Sequence, residues 1–145
     1  MREIGVGIIG YGFMGKAHTY AYKTMPLYYE DLTFRVRLVG VCNRTLEKAE
    51  KAKAYMGFEY ATHRAEDLFS DDNIQVINIC TPNNLHRDHV IGALRAGKHV
   101  YCDKPLAATH EEAKEILEVL DSTSAITQMA FQNRFFPATM RAKEL

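Results

Sequence analysis

Ile4-Gly5-Val6-Gly7-Ile8-Ile9-Gly10-Tyr11-Gly12-Phe13-Met14-Gly15 is the stretch that decides how the rest of the chain is read. Ile4, Val6, Ile8 and Ile9 form a short, nearly continuous apolar run, as expected of a parallel strand covered by helices on both faces. Gly10, Gly12 and Gly15 then spell Gly-x-Gly-x-x-Gly. In such a turn the first glycine makes the tight bend, the second lets backbone approach a pyrophosphate with no Cβ between, and the third lets the next helix pack closely on the strand. The helix start adds unpaired N–H groups and the positive end of its dipole, which favour a phosphate there. Glycines in this pattern can also be no more than a flexible turn. Their place after an apolar strand and before a helical stretch from Phe13 to Met25 is the context the dinucleotide motif requires.

Outward from that turn, strands and helices alternate. Pro26 is expected to end the first helix, and a longer connection, Pro26 to Phe34, follows it. A second strand is read over Arg35 to Asn43 and a helix from Thr45 to about Met56, closed by Gly57. The lysines at 48, 51 and 53 read as a solvated helix face. Phe58 to Ala61 is a short third strand, Ala65 to Ser70 a short helix, and Ile74 to Ile79 a fourth strand ending at Thr81-Pro82-Asn83. A helix from Leu85 to Ala96 stops at Gly97, and His99 to Cys102 is a fifth strand. Thr109 and Glu112 make a capping box for a helix with Ala113, Ile116, Leu117 and Leu120 on one face. Ala125 to Phe131 is a sixth strand. The alternation predicts an α/β fold with a doubly wound parallel sheet, without repeats or an interdomain linker.

Composition narrows the function. At 145 residues the chain is one domain, large enough for a core without disulfide or metal staples. Lys plus Arg and Asp plus Glu both number 18, so the formal net charge is zero. That argues against a general nucleic-acid binder, which needs a basic surplus. No leader-like or bilayer-spanning stretch is recognisable, so neither a membrane nor export is expected and the reading is cytoplasmic. The 3 cysteines, Cys42, Cys80 and Cys102, lack metal spacing and are read as small buried thiols at strand ends.

In a doubly wound sheet, ligands bind outside the carboxyl ends of the strands. The residues there are Gly10 to Gly15, Asn43-Arg44, Thr81 to His86, Asp103-Lys104-Pro105 and Gln132-Asn133-Arg134. On Gly10-Tyr11-Gly12-Phe13-Met14-Gly15, Cys80-Thr81-Pro82-Asn83-Asn84-Leu85-His86, Ala96-Gly97-Lys98-His99-Val100-Tyr101-Cys102-Asp103-Lys104-Pro105-Leu106 and Phe131-Gln132-Asn133-Arg134-Phe135, with Pro137, the chain resembles the glucose-fructose oxidoreductase / inositol dehydrogenase (Gfo/Idh/MocA) family of nicotinamide-dependent dehydrogenases. The four motifs occur in the family's order and span essentially the whole chain.

The resemblance implies an NAD(P)-binding Rossmann domain over residues 1–145 and places Gly10, Tyr11, Gly12, Phe13, Met14 and Gly15 at the pyrophosphate. It sets Thr81, Pro82, Asn83, Leu85 and His86 along the dinucleotide, although Asn83 or Asn84 could also cap the following helix. His86 and His89 lie one turn apart, but no third ligand suggests a metal, and none is expected. Lys104 corresponds to the family's Glu-Lys-Pro lysine beside the nicotinamide, here as Asp103-Lys104-Pro105 with a cis Lys104-Pro105 bond expected. Its ammonium can polarise a carbonyl and donate to a developing alkoxide. Asp103, one methylene shorter than the family's Glu, is a cofactor contact by the same resemblance, and Gln132 stands where many members of the family carry an asparagine that reaches the nicotinamide end.

Members of the family continue into a second α/β domain that completes the site and often forms an oligomer interface. Leu145 falls within a linking helix read over residues 138–145, so the expectation is one domain of a longer homo-oligomeric enzyme, with the substrate domain missing and little activity alone. The substrates implied are sugars, inositols and related polyols. A non-catalytic nucleotide sensor is the competing reading, which Lys104 disfavours; a methyltransferase also uses a glycine-rich turn, but has no role for Lys104-Pro105 or Thr81-Pro82-Asn83. Asn43, where an NAD enzyme usually carries Asp or Glu, would not repel a 2′-phosphate, and Arg44 with Thr45 could hold one. NADP is therefore expected to be accepted, with a modest preference over NAD.

Overall fold

A central strand, β1 (Arg2–Ile9), is hydrogen-bonded along one edge to β2 (Phe34–Cys42) and along the other to β4 (Val76–Ile79). This computed structural model describes residues 1–145. Beyond β2 lies β3 (Tyr60–Thr62), and beyond β4 lie β5 (His99–Asp103) and β6 (Thr127–Ala130). All pairings are parallel and the 6 strands run in the order β3-β2-β1-β4-β5-β6. The doubly wound sheet read from the alternation is therefore present. The order reverses between β1 and β4, where such sheets open a ligand crevice at the strands' carboxyl ends.

Helices α1 (Phe13–Tyr28) and α2 (Leu46–Met56) follow β1 and β2, and α3 (Ala65–Phe69), α4 (His86–Arg95) and α5 (His110–Leu120) cover the later strands. Val6, Ile8, Val41, Ala52 and Phe58 form one buried cluster. A larger one joins Ile9, Ile77, Ile79 and Val100 of the sheet to Leu68, Val90, Leu94 and Ile116 of α3, α4 and α5. Each such side chain, fully buried, contributes about 1.5–3 kcal/mol. Helix α6 (Pro137–Glu144) trails from a 3₁₀ turn at Gln132–Phe135 with no buried residue. No helix is long and apolar enough to cross a membrane.

Local chemistry sets the ends. Gly57 takes the left-handed conformation at the close of α2, with φ +78°, and Gly97 does the same after α4. Thr109 Oγ1 accepts from the Glu112 N–H at the start of α5, while the Glu112 carboxylate reaches back to the Ala108 N–H, one residue before the cap.

Several sequence expectations are corrected. Pro26 lies inside α1, which continues to Tyr28. So near the helix end its missing N–H forfeits only the bond to the Tyr22 carbonyl, and the Tyr29 N–H still closes on Met25. Thr45 is the N-cap of α2 rather than its first turn. Ile74 is buried but precedes β4, held in a turn by the bond from its N–H to the Asp71 carbonyl. Strand β6 is shorter than read, and neither Asn83 nor Asn84 caps α4, because a 3₁₀ turn at Asn83–Leu85 leads into it.

The tightest joint is between β1 and α1. A Cβ on Gly15 would lie 2.1 Å from the Gly10 carbonyl oxygen, and one on Gly10, at φ +89°, would meet the Cys80 carbonyl at 2.6 Å. Only glycine lets the helix sit this close to the strand end. Gly15→Ala should therefore lower unfolding stability by about 3 kcal/mol in a urea titration, the upper range of overpacking. A loss below about 1 kcal/mol would show that the joint has slack.

Candidate dinucleotide-binding site

At the switch point between β1 and β4 the strand ends surround an open crevice of about 630 Å³. Its floor is Gly10-Tyr11-Gly12-Phe13-Met14. One wall is Asn43 and Arg44 after β2, and the other is Thr81, Pro82 and Leu85 after β4, with Asp103 at the end of β5.

The glycine turn is built to receive an anion. Gly12 is the N-cap of α1 and has no side chain to cap it; the first helical bond is Lys16 N–H to the Gly12 carbonyl. The N–H groups of Phe13, Met14 and Gly15 thus precede any intrahelical acceptor. No atom lies within 4 Å of where a Gly12 Cβ would be, and its φ of −84° is one that any residue adopts. Neither protein packing nor backbone strain calls for glycine at 12, which leaves the space over it open. A dinucleotide pyrophosphate fits both the free N–H groups and the space.

At the β2 end, Asn43 lines the crevice and its Oδ1 accepts from the Arg44 N–H at 3.0 Å, which leaves its amide NH₂ without a partner in the protein. Thr45 makes no side-chain cap bond, so its hydroxyl is also free. No carboxylate lines this end; Arg44 and Lys48 do.

At the β5 end, Asp103 is 7% exposed and its Oδ1 accepts from the Lys104 N–H at 2.9 Å. The short Asp arm suits a contact with the next residue's backbone and holds the turn on which Lys104 stands. The Lys104-Pro105 bond is cis, as the resemblance implied. Lys104 is exposed at the rim of the crevice rather than in its lining.

The remaining expected contacts separate. Gly15 is buried in the strand–helix joint, Asn83 is exposed in its 3₁₀ turn and Gln132 is exposed after β6; none of them lines the crevice. His86 is corrected outright as a wall residue. Its ring is 0% exposed and both nitrogens face carbonyl oxygens, Nδ1 that of Pro105 at 2.6 Å and Nε2 that of Thr81 at 2.8 Å.

The crevice also contains residues that the sequence reading left out. Lys48, read as part of a solvated face, lies one turn after Thr45 and lines the site, as do His63, Cys80 and His89. The strand-end rule would have found His63 had it been applied to β3, which ends at Thr62. His89 pairs through Nδ1 with the Thr81 hydroxyl at 3.2 Å, both His86 nitrogens face carbonyls, and no group of three His, Cys, Asp or Glu side chains gathers as metal ligands.

The thiols in and beneath the crevice are held neutral. Burial, reinforced by the Asp103 carboxylate, pushes Cys80 and Cys102 up to about 12, and burial with Glu66 and Asp67 pushes Cys42 up to about 11. Buried Asn78 accepts from the Tyr22 hydroxyl at 2.9 Å and donates to Cys80 Sγ at 3.0 Å. Burial lowers His89, partly opposed by Asp88.

A strand, a glycine turn with an open cradle and a polar crevice at the switch point define a dinucleotide-binding domain. Residues 4–131 match the Gfo/Idh/MocA oxidoreductase family, NAD-binding Rossmann fold, and the chain belongs to that family. It is 39% identical over 145 residues to levoglucosan dehydrogenase of Pseudarthrobacter phenanthrenivorans, covering 99% of this chain and 37% of that protein. It is 33% identical over 147 residues to inositol 2-dehydrogenase/D-chiro-inositol 3-dehydrogenase of Lactiplantibacillus plantarum, covering 97% of this chain and 39% of that one. Among solved structures, levoglucosan dehydrogenase in complex with NADH and levoglucosan superposes with a TM-score of 0.92 at 37% identity, over 99% of this chain and 39% of that chain. The chain thus spans about two fifths of the length of these relatives.

The perturbed groups fix the pH range of stability. Buried thiols favour the protonated form, so the unfolded chain loses those protons first, and their contribution is complete below the ordinary value of 9.0 and lost as pH rises toward 11 to 12. Buried His89 favours the neutral ring, so its contribution is present above 6.5 and lost as pH falls below it. Melting temperature should be highest between about pH 6.5 and 9. A melting temperature still rising from about pH 9 to 11 would contradict the buried, neutral thiols.

Proposed function

We propose that this chain is the cofactor-binding part of a longer, homo-oligomeric dehydrogenase that transfers hydride between a nicotinamide dinucleotide and a hydroxyl-bearing carbon of a sugar, inositol or related polyol. The observation that carries the reading is one crevice with the anion cradle at Gly12 on its floor and the Lys104 turn at its far rim. The relatives' named activities on levoglucosan and inositols support the substrate class.

When bound, the nicotinamide supplies or accepts the hydride. The chain's own residues do the rest. The α1 N–H groups hold the pyrophosphate, and the Thr81-Pro82 wall and Leu85 confine the dinucleotide laterally. Lys104 donates from its ammonium to the substrate oxygen, stabilising negative charge as a carbonyl becomes an alkoxide; in the other direction its amine takes the hydroxyl proton. Asp103 fixes the Lys104 backbone through the bond to its N–H. Cys80, held as a neutral thiol, does not compete as a nucleophile.

At the adenosine ribose, the free amide of Asn43, the Thr45 hydroxyl and the cations Arg44 and Lys48 suit a 2′-phosphate as well as a hydroxyl. Both dinucleotides are therefore bound, with a modest preference for NADP. Calorimetric titration at one ionic strength should give a several-fold lower Kd for NADPH than for NADH. A tenfold or greater preference for NADH (about 1.4 kcal/mol) would contradict the phosphate reading, and no binding of either at millimolar concentration would contradict the crevice itself. In the longer enzyme Lys104→Ala should lower kcat by about 10²–10³ while the dinucleotide Kd changes little. Near-parent turnover would refute the role of Lys104.

A further inference from the structure

We infer that His86 is a positioning residue that sets the spacing between the dinucleotide wall and the Lys104 turn; this rests on the reading of Lys104 given above. His86 begins α4 immediately after the 3₁₀ turn and its ring is wholly enclosed. From there it reaches two loops that come from different strands. Nε2 faces the carbonyl of Thr81, a wall residue of the crevice, at 2.8 Å, and Nδ1 faces the carbonyl of Pro105, the residue after Lys104, at 2.6 Å.

Carbonyl oxygens only accept, so both contacts are hydrogen bonds when both ring nitrogens carry protons. One rigid planar ring then fixes the distance between two backbone segments that have no strand pairing with each other beyond Cys80 and Asp103. Lys104 has a flexible four-carbon stem, and a displacement of about 1 Å at its root is enough to cost on the order of 10²-fold in a reaction that depends on orientation. Asp103 fixes the same turn from the strand side, by accepting from the Lys104 N–H, and His86 fixes it from the helix side. Enclosure of the ring excludes water from both contacts, which makes each worth more and leaves either carbonyl costly to abandon.

The two ends of the brace can be cut separately, because an asparagine amide nitrogen falls near the position of Nδ1 and a glutamine nitrogen near that of Nε2. His86→Asn keeps a donor toward Pro105, and His86→Gln keeps one toward Thr81. The test uses the 145-residue chain labelled with ¹³C and ¹⁵N, reading the Lys104 Cε resonance as NADH is added and the NADH Kd by calorimetry. His86→Asn should keep the Lys104 response and bind NADH about tenfold more weakly, whereas His86→Gln should bind within about twofold of the parent and lose the Lys104 response. A ring that serves only for stability would give both variants the same loss, or none, and either result overturns the proposal. Should neither variant fold, the parent decides it: the His86 ring should show slowly exchanging N–H groups on both nitrogens. A ring with one bare nitrogen, or with both protons in fast exchange with water, overturns the brace. A parent chain that binds no NADH overturns the reading of the crevice instead, and the ring spectrum then still decides whether the brace exists.

Discussion

The closeness of α1 to the end of β1 is the constraint on which the rest of this structure depends. With the Gly10 carbonyl 2.1 Å from where a Gly15 Cβ would stand, the helix has no freedom to retreat and still pack. Its N-terminus is thereby aimed across the carboxyl ends of β1 and β4, and the free N–H groups that any helix start possesses become a directed anion site. The central place of β1 in the sheet makes this joint the point from which both halves of the crevice are measured.

Electrostatics then sort the crevice along its length. Asp103 is the one carboxylate in the lining, and an oxygen of it is occupied by the Lys104 N–H. At the opposite end Arg44 and Lys48 stand without an acidic neighbour in the lining. A dinucleotide with phosphates in its middle would meet the α1 N–H groups there. Cys80, a neutral thiol, lies beside the glycine turn, and Lys104 is exposed just past Asp103.

Much of this was legible in the sequence because apolar runs and glycines report backbone demands directly. The strands at Ile4, Val36, Ile77 and Val100 could be read from their composition, and the crevice residues from the rule that ligands sit at strand ends. What failed was decided by tertiary context. Pro26 carries a strong local signal for a helix end, yet its cost is confined to one bond so near the terminus, and α1 keeps its last turn. Lys48 looks like any lysine on a solvated helix, and its place at the crevice shows only once α2 is packed on the sheet. His86 carries no local mark of being enclosed, since its two partners, Thr81 and Pro105, come together only when β4 and β5 pair.

Gly12 offers the most direct test of the central claim, that the open space over the α1 N-terminus is a pyrophosphate cradle. Apart from its chain neighbours, nothing in the protein lies within 4 Å of a Cβ at this position, so Gly12→Ala adds a methyl group to open space at the crevice floor. Calorimetric titration of the Gly12→Ala chain with NADH, beside a urea unfolding curve, separates the two consequences. The account predicts stability within about 1 kcal/mol of the parent and an NADH affinity at least tenfold weaker. Unchanged affinity in a folded Gly12→Ala chain would contradict it.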